Sequence, residues 1–304
     1  MDAVLNVLKP PGMTSHDVVD VVRRLVRQRR VGHTGTLDPS AAGVLVLVLG
    51  RATRIAEFLT LSDKAYRVEV TFGIATDTGD AFGGVTGTAD ASGVTAAAVE
   101  ALLPPFTGEV EQIPPMASAI KVEGRRLYER ARRGEVVAVP PRRVVIHRLA
   151  LVDFWGGTHP RALLDVECSK GTYIRALARD LGAALGVGGH ASFMLRRRVG
   201  PFTLEESLTL EELGALQASG TLEQAAVSMD QALRDLPAVD LLPGQRRQVL
   251  EGTPLPLFRV PGWQHLPPDR PVRLRDEQGL VALARVEHGR LRPFKVLRGG
   301  TPPP

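Results

Sequence analysis

Residues 31–49 read VGHTGTLDPSAAGVLVLVL. A polar, glycine-rich loop from Val31 to Gly43 runs directly into an apolar stretch, Val44 to Leu49. Upstream, residues 4–8 predict a short apolar strand that stops at the turn Lys9-Pro10-Pro11-Gly12. Ser15 is then placed to cap a helix. Val18, Val19, Val22, Leu25 and Val26 recur at helical spacing, and Arg23, Arg24, Arg27, Arg29 and Arg30 occupy the opposite face. The loop that carries Asp38 therefore follows a basic helix.

Downstream, AYRVEVTFG (65–73) alternates as a strand, ATDTGDAFGG reads as loop, and Val85 to Thr88 returns as a strand. Val94 to Leu103 suits a short helix ending before Pro104-Pro105. Residues 114–143 have prolines near both ends and a basic, helical middle, GRRLYERARRG. They read as an excursion from the main body. Leu163 to Cys168 predicts another strand. Tyr173 to Leu185 predicts a helix with Ile174, Leu177, Ala178, Leu181 and Leu185 on one face and Gly186 as its stop. Beyond residue 236, short apolar pieces alternate with Gly and Pro, the pattern of a small β-rich domain with a disordered GGTPPP tail.

The chain has 304 residues, 44% of them hydrophobic, enough to bury a sizeable core. No run approaches the roughly 20 apolar residues of a membrane helix, and the MDAVLNVLKPPG start lacks a signal peptide's basic and apolar regions. The lone cysteine, Cys168, cannot form an internal disulfide, which fits a cytoplasmic protein. Net charge is +5 and the pI about 9.8. That balance permits a nucleic-acid partner but equally suits a merely soluble surface. Of 38 basic residues only five are lysines: Lys9, Lys64, Lys121, Lys170 and Lys295.

An aspartate in a loop such as Gly35-Thr36-Leu37-Asp38-Pro39 usually caps a helix or closes a turn. A catalytic reading needs more. A carboxylate facing a polyanion is tolerated if it works on a base or sugar carbon and a cation holds it ionised. Arg175, where CSKGTYIR passes from strand to helix, is the candidate cation, because a guanidinium can grip a carboxylate through two parallel hydrogen bonds. Helical spacing puts Arg175 beside the buried face and leaves both an inward and a surface position open. There is no Gly-rich phosphate loop and no Cys/His cluster at metal spacing.

Five segments occur in order: KPPGMTSHDVV, VGHTGTLDPSAAGVL, KAYRVEVTFGIATDTGD, QIPPMASAIKVEGRRLYERARRG and CSKGTYIRALARDLG. Together they resemble the TruB family of tRNA pseudouridine synthases, over residues 4 to about 236. The resemblance implies an α+β fold: a catalytic domain (1–236) on a large mixed, mainly antiparallel sheet, followed by a small PUA-like β-barrel RNA-binding domain (237–304). It implies isomerisation of uridine 55 in the tRNA T loop on a flipped-out base. Asp38 would be the catalytic nucleophile, Arg175 its ionic partner, and Tyr66 both a stacking platform and a candidate C5 base. Substrate binding would involve His33, Tyr66, Tyr173, Met194, Lys9, Lys121, Arg132 and Lys170, with residues 114–143 clamping the T arm. Met194 and Leu195 stand where the family usually has Leu and Arg, and Ala117 where it often has Tyr.

Pseudouridine formation breaks the N1 glycosidic bond and joins C5 to the same ribose carbon, with no net loss of atoms or electrons. The reaction therefore calls for no cofactor and no metal. Whether the carboxylate adds covalently or stabilises ribose charge stays open. The expected partner is the tRNA T-arm stem-loop, with no membrane, no obligate protein partner and a monomeric enzyme. Two other readings remain. An RNA-binding or chaperone protein fits the basic excess and the terminal domain equally well, but needs no paired carboxylate. A guide-RNA-dependent isomerase would not need its own basic clamp.

Overall fold

A computed structural model of the chain describes residues 1–297 other than 117, 119–120, 123–124, 127–134 and 136, with the backbone alone at 121–122 and 125–126. The first half runs β1 (Val4–Lys9), α1 (Ser15–Leu25), β2 (Val31–His33), β3 (Ala42–Leu49), α2 (Ala56–Thr60), β4 (Lys64–Phe72), β5 (Ile74–Thr76), β6 (Val85–Thr88) and α3 (Ala96–Leu102). Next come β7 (Gly108–Gln112), β8 (Lys121–Val122), β9 (Arg125–Arg126), β10 (Arg142–Trp155), β11 (Arg161–Cys168), α4 (Ile174–Ala184), β12 (Gly189–Val199) and β13 (Phe202–Thr203). The chain ends with α5 (Leu210–Ala218), α6 (Met229–Ala232), β14 (Ala238–Asp240), α7 (Pro243–Leu250), β15 (Leu255–Pro256), β16 (Val272–Asp276), β17 (Gly279–Glu287) and β18 (Arg290–Val296).

The fold is α+β. One sheet has the order β1-β3-β12-β4-β11-β10-β7, with β2 added to β3 and β13 to β12. Its pairings are antiparallel except the parallel join of β3 to β12. A second, five-stranded sheet has the order β14-β16-β17-β18-β15.

The apolar run of residues 44–49 is continuous because β3 is covered on both faces. Leu45, Leu47 and Leu49 pack with Val18, Val19 and Val22 of α1. Val44, Val46 and Val48 pack with Leu233 and with Leu280, Leu283 and Leu297 of the terminal region. In β4 the alternation holds: Tyr66, Val68 and Val70 are buried between half-buried Ala65, Arg67 and Glu69. That inner face meets Ile174, Leu177, Ala178 and Leu181 of α4.

Three details differ from the sequence reading. Thr14, not Ser15, caps α1, in a reciprocal capping box with Asp17. The helix ends at Leu25 and Arg27 turns left-handed (φ 50°), so Arg27, Arg29 and Arg30 leave its face. Arg142 and Arg143 pair with Gln112 and Glu111 as the start of β10 rather than closing the basic excursion. The long strands β10 and β12 went unread because bulges break their alternation, between Ile146 and Arg148 and Leu151 and Asp153 in one, and between Ala191 and Phe193 and Arg196 and Arg198 in the other. The middle of the 114–143 excursion lies outside the described residues, apart from the paired backbones of β8 and β9.

Candidate active site

The segment from Thr34 to Ala41 links β2 to β3 and is fastened at both ends. The Thr34 amide donates to Val46 O (3.0 Å), and Gly12 N–H donates to Pro39 O (2.8 Å). The Ser15 hydroxyl accepts from Leu37 N–H (2.8 Å) and donates to Leu37 O (3.1 Å). Ser15, first read as a cap, thus ties the start of α1 to the residue next to Asp38. Lys9 is fully buried at the end of β1, and its Nζ donates to Pro10 O (2.8 Å) and Ala41 O (2.7 Å). Burial lowers its pKa to about 8, against the upward pull of Asp38.

Lys9→Met should therefore lower stability by about 1–3 kcal/mol, since two loop carbonyls lose their donor. The deficit has a pH signature. Lys9 titrates lower in the folded than in the unfolded chain, so the unfolded state binds the extra proton between pH about 8 and the ordinary 10.5, and wild-type stability rises across that window. Thermal melts should show the gap between wild type and variant widening from pH 8 to 10; a constant gap would mean the lysine is unperturbed.

The charged centre lies where α4 begins. Arg175 is 4% exposed, and its Nε lies 2.8 Å from Asp38 Oδ2 while Nη2 donates to Oδ1 at 3.1 Å. The spacing left inward and outward positions open; the structure turns this side chain inward, where Nη1 also donates to Thr78 O (2.8 Å). The Asp38 side chain is 31% exposed, open on one side. Its position pushes the carboxyl above the usual carboxylate range, with the Arg175 guanidinium pulling back.

A second carboxylate, which the sequence reading missed, completes the group. Asp80 is buried with Oδ2 3.9 Å from Arg175 Nε, and it accepts from the Ser40 hydroxyl (3.0 Å), the Thr78 hydroxyl (2.7 Å) and Phe82 N–H (3.0 Å). The Asp-Thr-Gly-Asp turn was its only sequence signal.

Tyr66 lies on the inner face of β4 in the same apolar cluster as Leu37 and Met194. Burial raises its pKa, and Arg196 pulls it back. Arg196, also missed, is 2% exposed and sits opposite Tyr66 across the β12–β4 register. His33 is half-buried on β2, its Nδ1 enclosed and without a hydrogen-bond partner among the described residues; burial lowers its pKa, with Arg196 adding to the effect. Tyr173 stands at the start of α4, its backbone N–H donating to Gln112 Oε1 (3.0 Å). Lys170 is exposed in the turn before it. The Lys121 side chain and Arg132 lie outside the described residues.

The structure thus pairs Asp38 with Arg175, places Tyr66 and Met194 in the apolar cluster that includes the neighbouring Leu37, and sets Lys9 behind the loop. A family described as "TruB family pseudouridylate synthase (N terminal domain)" matches residues 23–174, and one described as "tRNA pseudouridylate synthase B C-terminal domain" matches 175–237. The chain belongs to the TruB family. It is accordingly a pseudouridine synthase, an RNA-modifying isomerase. Among its TruB relatives, the tRNA pseudouridine synthase B of Pelotomaculum thermopropionicum is 49% identical over 290 residues, 93% of this chain and 91% of that one. That of Symbiobacterium thermophilum is 56% identical over 252 residues, 83% of this chain and 82% of that one. Among solved structures, a Cbf5–Nop10–Gar1 complex matches with TM-score 0.76 at 26% identity, over 98% of this chain and 85% of that one. An H/ACA ribonucleoprotein bound to a substrate RNA containing 2'-deoxyuridine matches with TM-score 0.75 at 25% identity, over 97% and 85%. No helix among the described residues is long and apolar enough to cross a membrane.

Proposed function

We propose that this TruB-family enzyme converts uridine 55 in the T loop of tRNA to pseudouridine without a guide RNA, with Asp38 as the group that attacks the extruded nucleoside. The observation that carries the reading is the two-point ionic pair between Asp38 and Arg175. The guanidinium opposes the burial that raises the Asp38 pKa and fixes the carboxylate's direction. Tyr66, in the same apolar cluster as the neighbouring Leu37, is in this reading the face on which a base stacks, for about 1–3 kcal/mol. A protein that only gripped RNA would have no use for such a pair. The curated relatives named as tRNA pseudouridine synthases, at 49% and 56% identity, support tRNA as the substrate.

In this reading residues 1–236 are the catalytic domain, and the five-stranded terminal sheet is a PUA-like module that adds RNA surface. His33, Tyr173, Met194 and Lys170 meet the extruded nucleotide and its neighbours, and Lys121 and Arg132 belong to the clamp. The expected state is a monomer.

The test is tritium release from C5-labelled uridine in an isolated T-arm hairpin, with purified protein and nothing else added. Release at the position equivalent to 55 is expected. The second reading, a guide-dependent isomerase, draws on the similarity to a protein solved within an H/ACA ribonucleoprotein. It requires no release until a guide RNA is supplied, and that outcome would replace the proposal.

A further inference from the structure

Arg196 is a buried cation whose hydrogen bonds, among the described residues, run to neutral carbonyls, while its charge also pulls the Asp38 carboxyl down. Its Nε donates to Val44 O (2.8 Å), Nη2 to Gly35 O (3.0 Å) and Nη1 to Thr36 O (3.3 Å). Two of these carbonyls belong to the loop that carries Asp38, and the third to the strand it enters. The backbone permits this because Gly43 lies against Arg196 in the parallel β3–β12 join at φ 115°; a Cβ there would stand 2.2 Å from Arg196 O. A guanidinium has five N–H groups. Three are accounted for by the carbonyls, and Tyr66 is the partner of Arg196 across the β12–β4 register. A buried arginine is costly to desolvate, and among the described residues no carboxylate stands within ion-pair distance of Arg196, Asp38 acting on it only from further away. Besides Asp38, the neighbour that uses this fixed positive charge is Tyr66, when it becomes negative during the reaction.

We propose that Arg196 is a positioning residue for the C5 deprotonation step, holding the Tyr66 oxygen and the Asp38 loop in one frame and stabilising Tyr66 as a phenolate. The proposal rests on the reading of Tyr66 as the base. The step balances as follows. After C5 has bonded to the ribose carbon, the C5 proton passes to the Tyr66 phenolate. The C5–H electron pair becomes the C5=C6 double bond, the C6=N1 pair moves onto N1, and N1 takes a proton from water. Tyr66, now a phenol, returns its proton to solvent. Burial opposes phenolate formation at Tyr66, and Arg196 acts in the opposite direction.

The experiment compares two hairpins with the full-length enzyme. One carries uridine at the target position. The other carries 5-fluorouridine, which can undergo every step through C5–C1′ bond formation but has no C5 proton to lose. The variants are Arg196→Lys and Arg196→Gln, both checked for folding by circular dichroism and hairpin binding, so that either can serve if the other does not fold. Each is expected to lower kcat on uridine by about 100-fold, the size of a general-base contribution. KM should change little, and a deuterium isotope effect at C5 should grow. Rearrangement of 5-fluorouridine should stay within about threefold of wild type. Equal losses on both hairpins in a folded variant would overturn the proposal and leave Arg196 as a loop support. Tyr66→Phe separates the parent reading: if that variant deprotonates uridine at the wild-type rate, Tyr66 is not the base and the proposal falls with it, whatever Arg196 does.

Discussion

Asp38→Asn is expected to remove tritium release from C5-labelled T-arm uridine, a loss of at least about 10⁴-fold or ~5.5 kcal/mol of barrier, while the hairpin still binds. The side chain keeps its shape, so the fold around it stays. An amide, however, is neither a nucleophile nor a charge that can stabilise a developing positive ribose. Its NH2 would also face the guanidinium of Arg175, so the two-point grip at 2.8 and 3.1 Å becomes a single hydrogen bond at best. In the proposed reading RNA affinity rests on phosphate contacts to basic side chains elsewhere, so loss of one negative charge at Asp38 should leave hairpin binding intact. Wild-type activity in the variant would end the assignment.

If Asp38 is the reacting group, it should also set the acid limb of the wild-type rate profile. Burial raises the Asp38 carboxyl from its ordinary 3.8, against the pull of Arg175, so the reactive anion is lost as pH falls through a value above 3.8. An inflection below that would mean the carboxylate is better solvated than its 31% exposure implies.

How far this site could be read in advance depends on what each residue does. An aspartate in a Gly/Thr/Pro loop by itself reads as a cap or turn residue, and Asp38 was assigned the catalytic role through the family resemblance of its segment. Tyr66 fell on a strand whose alternation is intact, so its inward direction followed from period two. Arg175 could be named but not oriented, because the helix spacing put it at the margin of the apolar face; the start of α4 and the Thr78 carbonyl turn it inward. Asp80 and Arg196 were not seen at all. Asp80 sits in a turn whose Thr and Asp residues look like ordinary loop chemistry, and its meeting with Ser40 joins positions forty residues apart. Arg196 lies in a run of three arginines, which reads as a solvated strand end. A bulge between Arg196 and Arg198 sends the first of them into the core while Arg197 and Arg198 pair with Asp165 and Glu167. The α+β class came with the family resemblance, the regular strands and helices agreed with it, and β10 and β12 were hidden where bulges break their alternation.

Arg175→Met is expected to damage folding and chemistry together, in a way that pH can separate. The variant leaves Asp38 and Asp80 facing each other without the guanidinium that lies 2.8 Å from one and 3.9 Å from the other. Removing one member of such a buried group is destabilising by about 3–5 kcal/mol, which thermal melts at neutral pH should register. Asp38 now loses the cation that lowers its pKa and keeps the neighbour that raises it. A carboxyl whose folded pKa lies above its unfolded value favours the fold below the unfolded value, and that advantage disappears as pH rises through the folded one. The stability gap to wild type should therefore be widest at neutral pH and shrink on acidification towards pH 4. Activity should move the opposite way, with kcat lower by about 10²-fold or more and its acid limb displaced to higher pH, because the anion now forms later. Arg175→Lys restores the charge but not the planar fork, so it should recover most of the stability and little of kcat. If Arg175→Lys were fully active, charge alone would suffice and the two-point geometry would carry no weight in the mechanism; if Arg175→Met melted like wild type at neutral pH, the two carboxylates would not be sharing one cation.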